Sequence, residues 1–148
     1  MKFKLFIDKE KEEQIIVYAH EKSKLTEQIE KLVSEKITEL NGYKDREVIR
    51  LDVSEIQCFI VEDNKVFALT NKDKLQLKYR LYQLESEFDA GFVKINQSCL
   101  VNIKKIARFD ASLSGSLKVK MKNGYTDFVS RRNLKFVKER LGLWWKNM

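Results

Sequence analysis

Several short polar groups interrupt otherwise apolar stretches, and their side chains could do chemistry. Asn64-Lys65 follow the run "FIVED". Lys94 and Asn96-Gln97-Ser98 break the strand-like run "GFVKINQSCLVNIKKI". Arg131-Arg132-Asn133, with Lys135 close behind, follow "YTDFVS". Arginine can grip guanine bidentately, and asparagine or glutamine can grip adenine. Lysine, serine and the first turn of a helix suit phosphate. Each group also has a plainer reading. Asn64 can serve as a turn former, Ser98 can tie down its own backbone, and Arg131-Arg132 can be a solvated helix start. Positive charge at that start opposes the helix dipole, which favours a nearby anion.

No comparable set supports catalysis. Gly91, Gly115, Gly124 and Gly142 are scattered and build no phosphate-binding loop. His20 is the single histidine, and Cys58 and Cys99 are isolated, so no usual zinc set can be assembled. Both cysteines stand among apolar neighbours and read as buried packing residues rather than a disulfide. Glu85 and Glu87 read as a solvated helix face. The expectation is a non-enzyme, with no catalytic residues, no metal and no cofactor.

The charge is unevenly spread. Residues 91–148 hold 13 Lys/Arg against 3 Asp/Glu, while residues 1–90 hold 16 against 19. The C-terminal part therefore carries +10 and the rest −3, which together give the net +7, as on a chain with a surface that meets a polyanion. A surplus of lysine for solubility is the simpler alternative. No apolar run reaches the length of a membrane span. The start "MKFKLFIDKEKEE" turns acidic too early for a signal peptide, so a cytoplasmic location is expected.

The elements that must carry these residues are mostly strands. "FKLFI" and "QIIVYA" read as two short strands around a charged turn. "KLTEQIEKLVSEKITEL" changes to helical period, with Leu25, Ile29, Leu32, Val33, Ile37 and Leu40 on one face. Ser23 or Thr26 would cap it, and Asn41-Gly42 would stop it. Beyond Tyr43, "EVIRLDV", the hairpin "EIQCFIVEDNKVFALT" turning at Asp63-Asn64, and "KLQLKYR" alternate as strands. "LYQLESEF" is a short helix bearing Leu81, Leu84 and Phe88. "SLKVKMKNGYTDFVS" is a second hairpin with a turn at Asn123-Gly124. Its Lys118, Lys120 and Lys122 face away from Leu117, Val119 and Met121. A last helix starts after Ser130, carries Leu134, Val137 and Leu141, and ends at Gly142. Tyr125 and Trp144-Trp145 read as packing residues. The fold class is mainly β, with short helices. The domains expected are a strand–strand–helix extension over 1–43, which packs, dimerises or regulates, and a β-rich domain over 44–148.

From about Lys44 to Leu143 the chain resembles a LytTR-type DNA-binding domain, the β-rich output domain of many bacterial response regulators. The resemblance rests on "GYKDREVIRLDVSEIQCFIVEDNKVFALT", "YRLYQLESEF", "FVKINQSCLVNIKKI" and "NGYTDFVSRRNLKFVKERLG". The N-terminal segment is too short for a phosphoacceptor receiver. It resembles the short extension of a small LytTR subgroup, often encoded beside a membrane protein that restrains the regulator. That inhibitory membrane protein is implied by resemblance only. In the family three loops reach DNA. Two enter successive major grooves, and intervening contacts go to phosphates. Matched residue by residue, this implies base contacts from Asn64, Gln97 and Arg132. Lys65, Lys94, Asn96, Ser98, Arg131, Asn133 and Lys135 would be phosphate or supporting contacts. The expected function is a bacterial transcription regulator that binds repeats in double-stranded DNA as a homodimer. The alternative is an interaction module whose basic face docks an acidic partner or a membrane surface. Single-stranded RNA fits less well, because few aromatics interleave the basic loops.

Overall fold

The computed structural model describes residues 2–34 and 39–144. The chain forms two compact units, residues 1–36 and 37–148. In the first unit, helix α1 (Lys24–Ser34) starts with a reciprocal cap. The Ser23 N–H donates to Thr26 Oγ1 at 2.9 Å, and the Thr26 N–H to Ser23 Oγ at 3.4 Å. Of the expected apolar stripe, Leu25 and Val33 are exposed and Ile29 is half-buried. The side chain of Leu32 and all of Ile37 lie outside the described residues. The two N-terminal strands expected from alternation are not formed. Residues 2–23 contain no strand, and the chain turns where the Lys11 N–H meets the Asp8 carbonyl at 3.4 Å. A lone two-stranded hairpin is marginal without a surface to bury its apolar face, and here Phe3, Phe6 and Ile7 are exposed.

The second unit is built on a seven-stranded antiparallel sheet of order β2-β1-β5-β4-β3-β7-β6. Its strands are β1 (Glu39–Lys44), β2 (Glu47–Asp52), β3 (Cys58–Glu62), β4 (Lys65–Leu69), β5 (Lys74–Leu77), β6 (Phe92–Asn96) and β7 (Cys99–Asn102). Helix α2 (Leu81–Glu87) lies between β5 and β6 in sequence. A three-stranded sheet follows, of order β10-β9-β8, from β8 (Ile106–Ala111), β9 (Leu117–Met121) and β10 (Thr126–Val129). Helix α3 (Arg131–Leu141) ends at Gly142, whose φ of 65° is left-handed as expected of a glycine stop.

Strand β1 corrects the reading of Leu40, Asn41 and Gly42 as the end of the first helix. Leu40 is buried in the sheet core, and Asn41 and Gly42 pair with Arg50 and Ile49 of β2. A Cβ at position 42 would lie 2.8 Å from Leu75 Cβ and 2.9 Å from Leu51 Cδ1. Glycine stands there because neighbouring side chains approach closely, not because a helix must turn left-handed. The two units accordingly divide at residues 36 and 37, ahead of the boundary expected at 43 and 44.

The large sheet is covered on both faces, so its central strands read as continuous apolar runs such as "CFI" and "CLV". On one face Phe59, Phe92 and Leu100 pack with Leu40, Leu51, Leu75 and Leu84. The rings of Phe59, Phe88 and Phe92 stand 5.0 to 5.9 Å apart. On the other face Cys58, Ile60, Val93, Ile95, Cys99 and Val101 meet Leu117, Val119 and Met121 of β9 and Val137 of α3. Cys58 and Cys99 are free and buried. A hydrogen bond with Cys58, together with burial, pushes the Cys99 thiol well above its ordinary range, so it stays protonated and unreactive. Tyr125 packs against the same core. Trp144 does not pack as expected: it is 80% exposed. Trp145 lies outside the described residues.

Candidate nucleic-acid interface

Three connections converge at one end of the large sheet. The β3–β4 hairpin turns through Asp63-Asn64, between the paired residues Glu62 and Lys65. Both turn residues have positive φ, 51° and 61°, the primed-turn geometry that suits Asp and Asn. Asn64 is therefore a turn former, and its exposed side chain still points from the tip.

The β6–β7 connection is the two-residue turn Gln97-Ser98, both exposed. A register shift between Lys94 and Asn96 marks a bulge just before it. The bulge explains the polar triplet, because it lets Ile95 stay in the core while Gln97 leaves the sheet. Asn96 holds this turn from below. Its Oδ1 accepts from the Ser98 N–H at 2.8 Å, and its Nδ2 donates to the Phe128 carbonyl at 2.8 Å. The Ser98 carbonyl accepts from the Val61 N–H at 2.9 Å, which carries the β3–β7 ladder up to the two tips. The Asn64 and Gln97 tips therefore sit side by side, about two strand spacings or roughly 10 Å apart.

The third connection runs from β10 through Ser130 into α3. Ser130 occupies the N-cap position, but its hydroxyl makes no bond to the helix backbone. It donates instead to Asn133 Oδ1 at 2.9 Å. Asn133 Nδ2 in turn donates to the Lys94 carbonyl at 3.0 Å, and the Ser130 N–H donates to the Ile95 carbonyl at 2.8 Å. With the Asn96–Phe128 bond, these contacts form a seam joining β6 to β10 and α3. The start of α3 is thereby fixed beside the Gln97 turn, and Gln97 lies between Asn64 and Arg132.

The expected site residues separate by what they touch. Among the described residues, nothing pairs with the side chains of Gln97, Arg131, Arg132 or Lys135, and all four are exposed. Lys65 is exposed beside Asn64. Asn96 and Asn133 spend their amides on the seam, and Ser98 contributes its backbone to the turn. Lys94 faces α2, where its Nζ lies 4.0 Å from Glu85 Oε2. There it lines a groove of about 410 Å³ between α2 and α3, with Asp89, Phe136 and Arg140. Two exposed arginines at a helix start repel the positive end of the helix, and an anion held there relieves both.

Sequence reasoning missed several positioning residues. Buried Asn102 donates to the Ile56 carbonyl at 2.8 Å and accepts from the Lys104 N–H at 3.1 Å. Gln57 Oε1 accepts from the Asn123 N–H at 3.2 Å, and Asn123 Nδ2 donates to the Thr70 carbonyl at 3.0 Å. These contacts fix the Asn123-Gly124 turn at the end of the molecule opposite the three tips. Gln57 and Asn102 are set apart by their burial, and alternation alone gives no sign of it.

Among the described residues, no His, Cys, Asp and Glu cluster could hold a metal, and no helix is long and apolar enough to cross a membrane. Helices α2 and α3 are separated by five strands, so they make no helix-turn-helix pair.

Comparisons with known proteins agree with this architecture. The family model described as the LytTr DNA-binding domain matches residues 46–142. A Staphylococcus aureus protein (strain MSSA476), named as an uncharacterized HTH-type transcriptional regulator, is 34% identical over 97% of this chain and 99% of its own. Its counterpart in strain MW2 matches to the same extent. A solved LytTr DNA-binding domain from Bacillus cereus superposes with a TM-score of 0.69 at 18% identity, covering 72% of this chain and 99% of that one. That last likeness speaks for the fold. The family match and the full-length relatives speak for descent: the chain belongs to the LytTr DNA-binding domain family.

Proposed function

We propose that the protein is a bacterial transcription regulator that reads duplex DNA through Asn64, Gln97 and Arg132. The observation that carries this reading is the convergence of their three connections at one end of the sheet, with the Gln97 turn and the start of α3 joined by the Lys94–Asn96 seam. Gln97 lies between the other two. The outer pair, Asn64 and Arg132, thus suit two successive major grooves, with Gln97 reading base edges between them. Arg132 is the strongest discriminator of the three, since a bidentate arginine–guanine pair contributes about 1–3 kcal/mol. Arg131, Lys135 and Lys65 supply phosphate contacts, which carry affinity but no sequence information. Asn96, Ser98 and Asn133 position the readers. Lys94, already beside Glu85, contributes less charge to DNA than Lys135.

In this reading two copies bind two repeats. The exposed apolar residues of the first unit, Phe3, Phe6, Ile7 and Tyr18 among them, support association of that unit with a partner surface. The test compares Arg132→Ala with Lys135→Ala on a cognate and a random duplex. The first should lose affinity on the cognate alone, and the second on both alike. Equal losses for Arg132→Ala on the two duplexes would remove its role in base reading.

A further inference from the structure

One basic surface lies outside these three connections. The inner face of the three-stranded sheet is core, so alternate residues point outward from it. Register places Lys118 opposite Phe128 on one side and Asp110 on the other, and Lys120 opposite both Thr126 and Arg108. Lys120 and Arg108 are like charges in directly opposed positions, an arrangement that costs stability unless an anion lies across it. Arg108 is partly satisfied by Asp110, its Nε 3.3 Å from Oδ1. Asp110 stands across from Lys118 but gives its carboxylate to Arg108, and among the described residues no ion pair reaches Lys118 or Lys120.

Phe128 is 56% exposed, and Lys118 Nζ stands 5.8 Å from its ring centroid. An exposed phenylalanine held under a lysine is an unusual use of an edge strand. Its position gives it a purpose. The Phe128 carbonyl receives the Asn96 bond that supports the Gln97 turn, and two residues later the chain reaches Ser130 and the start of α3. Lys118 and Phe128 therefore stand at the same end of the molecule as the readers, with Lys120 one step behind.

We infer that the outer face of this sheet is a second phosphate track, which takes the sugar–phosphate backbone of duplex DNA flanking the base-read site. Lys118 and Lys120 meet successive phosphates, and the Phe128 ring packs on a deoxyribose between them. The inference rests on the proposed DNA reading and extends it to a surface that the loop contacts do not include.

The test uses the full chain and two duplexes: one trimmed to the selected site, and one extended beyond the α3 side by about one helical turn. Affinity is measured across a salt series for the native chain, the Lys118→Gln/Lys120→Gln double variant, Phe128→Leu and Lys72→Gln. Lys72 lies in the β4–β5 connection at the opposite end, so it controls for net charge. On the extended duplex the double variant should flatten the log–log salt slope by about 1.8. On the trimmed duplex it should stay within about twofold of the native chain, a difference of under half a kcal/mol. Phe128→Leu should lose part of the same flank-dependent gain, and Lys72→Gln should keep all of it. Equal slopes for native and double variant on the extended duplex would overturn the inference. Failure of the native chain to prefer the selected site over random duplex would overturn base reading instead, and the flank-dependent slope would still be readable.

Discussion

Replacing Asn96 with alanine removes two hydrogen bonds that no other side chain can replace. One holds the Ser98 N–H inside the turn, and the other joins that turn to the Phe128 carbonyl, each at 2.8 Å. A hydrogen bond between neutral groups contributes about 0.5–1.5 kcal/mol net. Asn96 is half-buried beside an exposed turn, so water reaches the groups left behind and the low end of that range applies. The expected loss is about 1 kcal/mol, read as a fall in melting temperature of about 3–6 °C. Binding should change selectively. The Gln97 turn loses its support, so affinity for the cognate duplex falls by roughly fivefold, about 1 kcal/mol, while random duplex is bound as before. Asn96→Asp separates the two bonds. It keeps an acceptor for Ser98 but turns a second oxygen toward the Phe128 carbonyl, and should be at least as destabilising as alanine. Thermal unfolding and a salt-controlled binding titration measure both effects. An Asn96→Asp protein as stable as the native chain would refute the claim that donation to Phe128 holds the seam.

Other outcomes follow from the same geometry. Gly42→Ala should destabilise the second unit by about 1–3 kcal/mol in urea unfolding, because the added methyl meets Leu75 and Leu51. A chain starting at residue 37 should unfold cooperatively. One starting at residue 44 should not, because it loses most of β1, the strand that joins β2 to β5. Lys135→Ala should flatten the salt slope by about 0.9 on cognate and random duplex alike, and Lys94→Ala by less, because Glu85 already stands beside Lys94. Asn133→Ala should lower stability and cognate affinity together, since its amide links Ser130 to the Lys94 carbonyl.

Much of the second unit was legible because its strands alternate and its turns carry the right residues. Asp63-Asn64 has the double positive φ that a tight hairpin demands, and Gly142 ends α3 in the left-handed region. At the other hairpin only Gly124 is left-handed, with Asn123 engaged instead as a strut to Thr70. The misreadings have physical causes. Leu40 falls on the helical period of the preceding segment, yet it belongs to β1, because packing against β5 overrides local propensity. "FKLFI" and "QIIVYA" alternate like strands, but residues 2–23 form none, as expected of a lone hairpin with little surface to bury its apolar face. In the proposed site, Gln97 and Arg132 are named by the family resemblance, whereas the service of Asn96 and Asn133 as struts depends on contacts across more than thirty residues of sequence. The second basic face was visible as alternating lysines, but only strand register brings Lys118 over Phe128.

The central claim is that this end of the sheet reads sequence. Selection of bound duplexes from a random pool at about 0.15 M salt, run in parallel for the native chain and Arg132→Ala, tests it most directly. The account predicts one shared, repeated motif for the native chain and relaxed preference at a single position of each repeat for the variant. An unenriched pool, or the same motif unchanged in the variant, would contradict it.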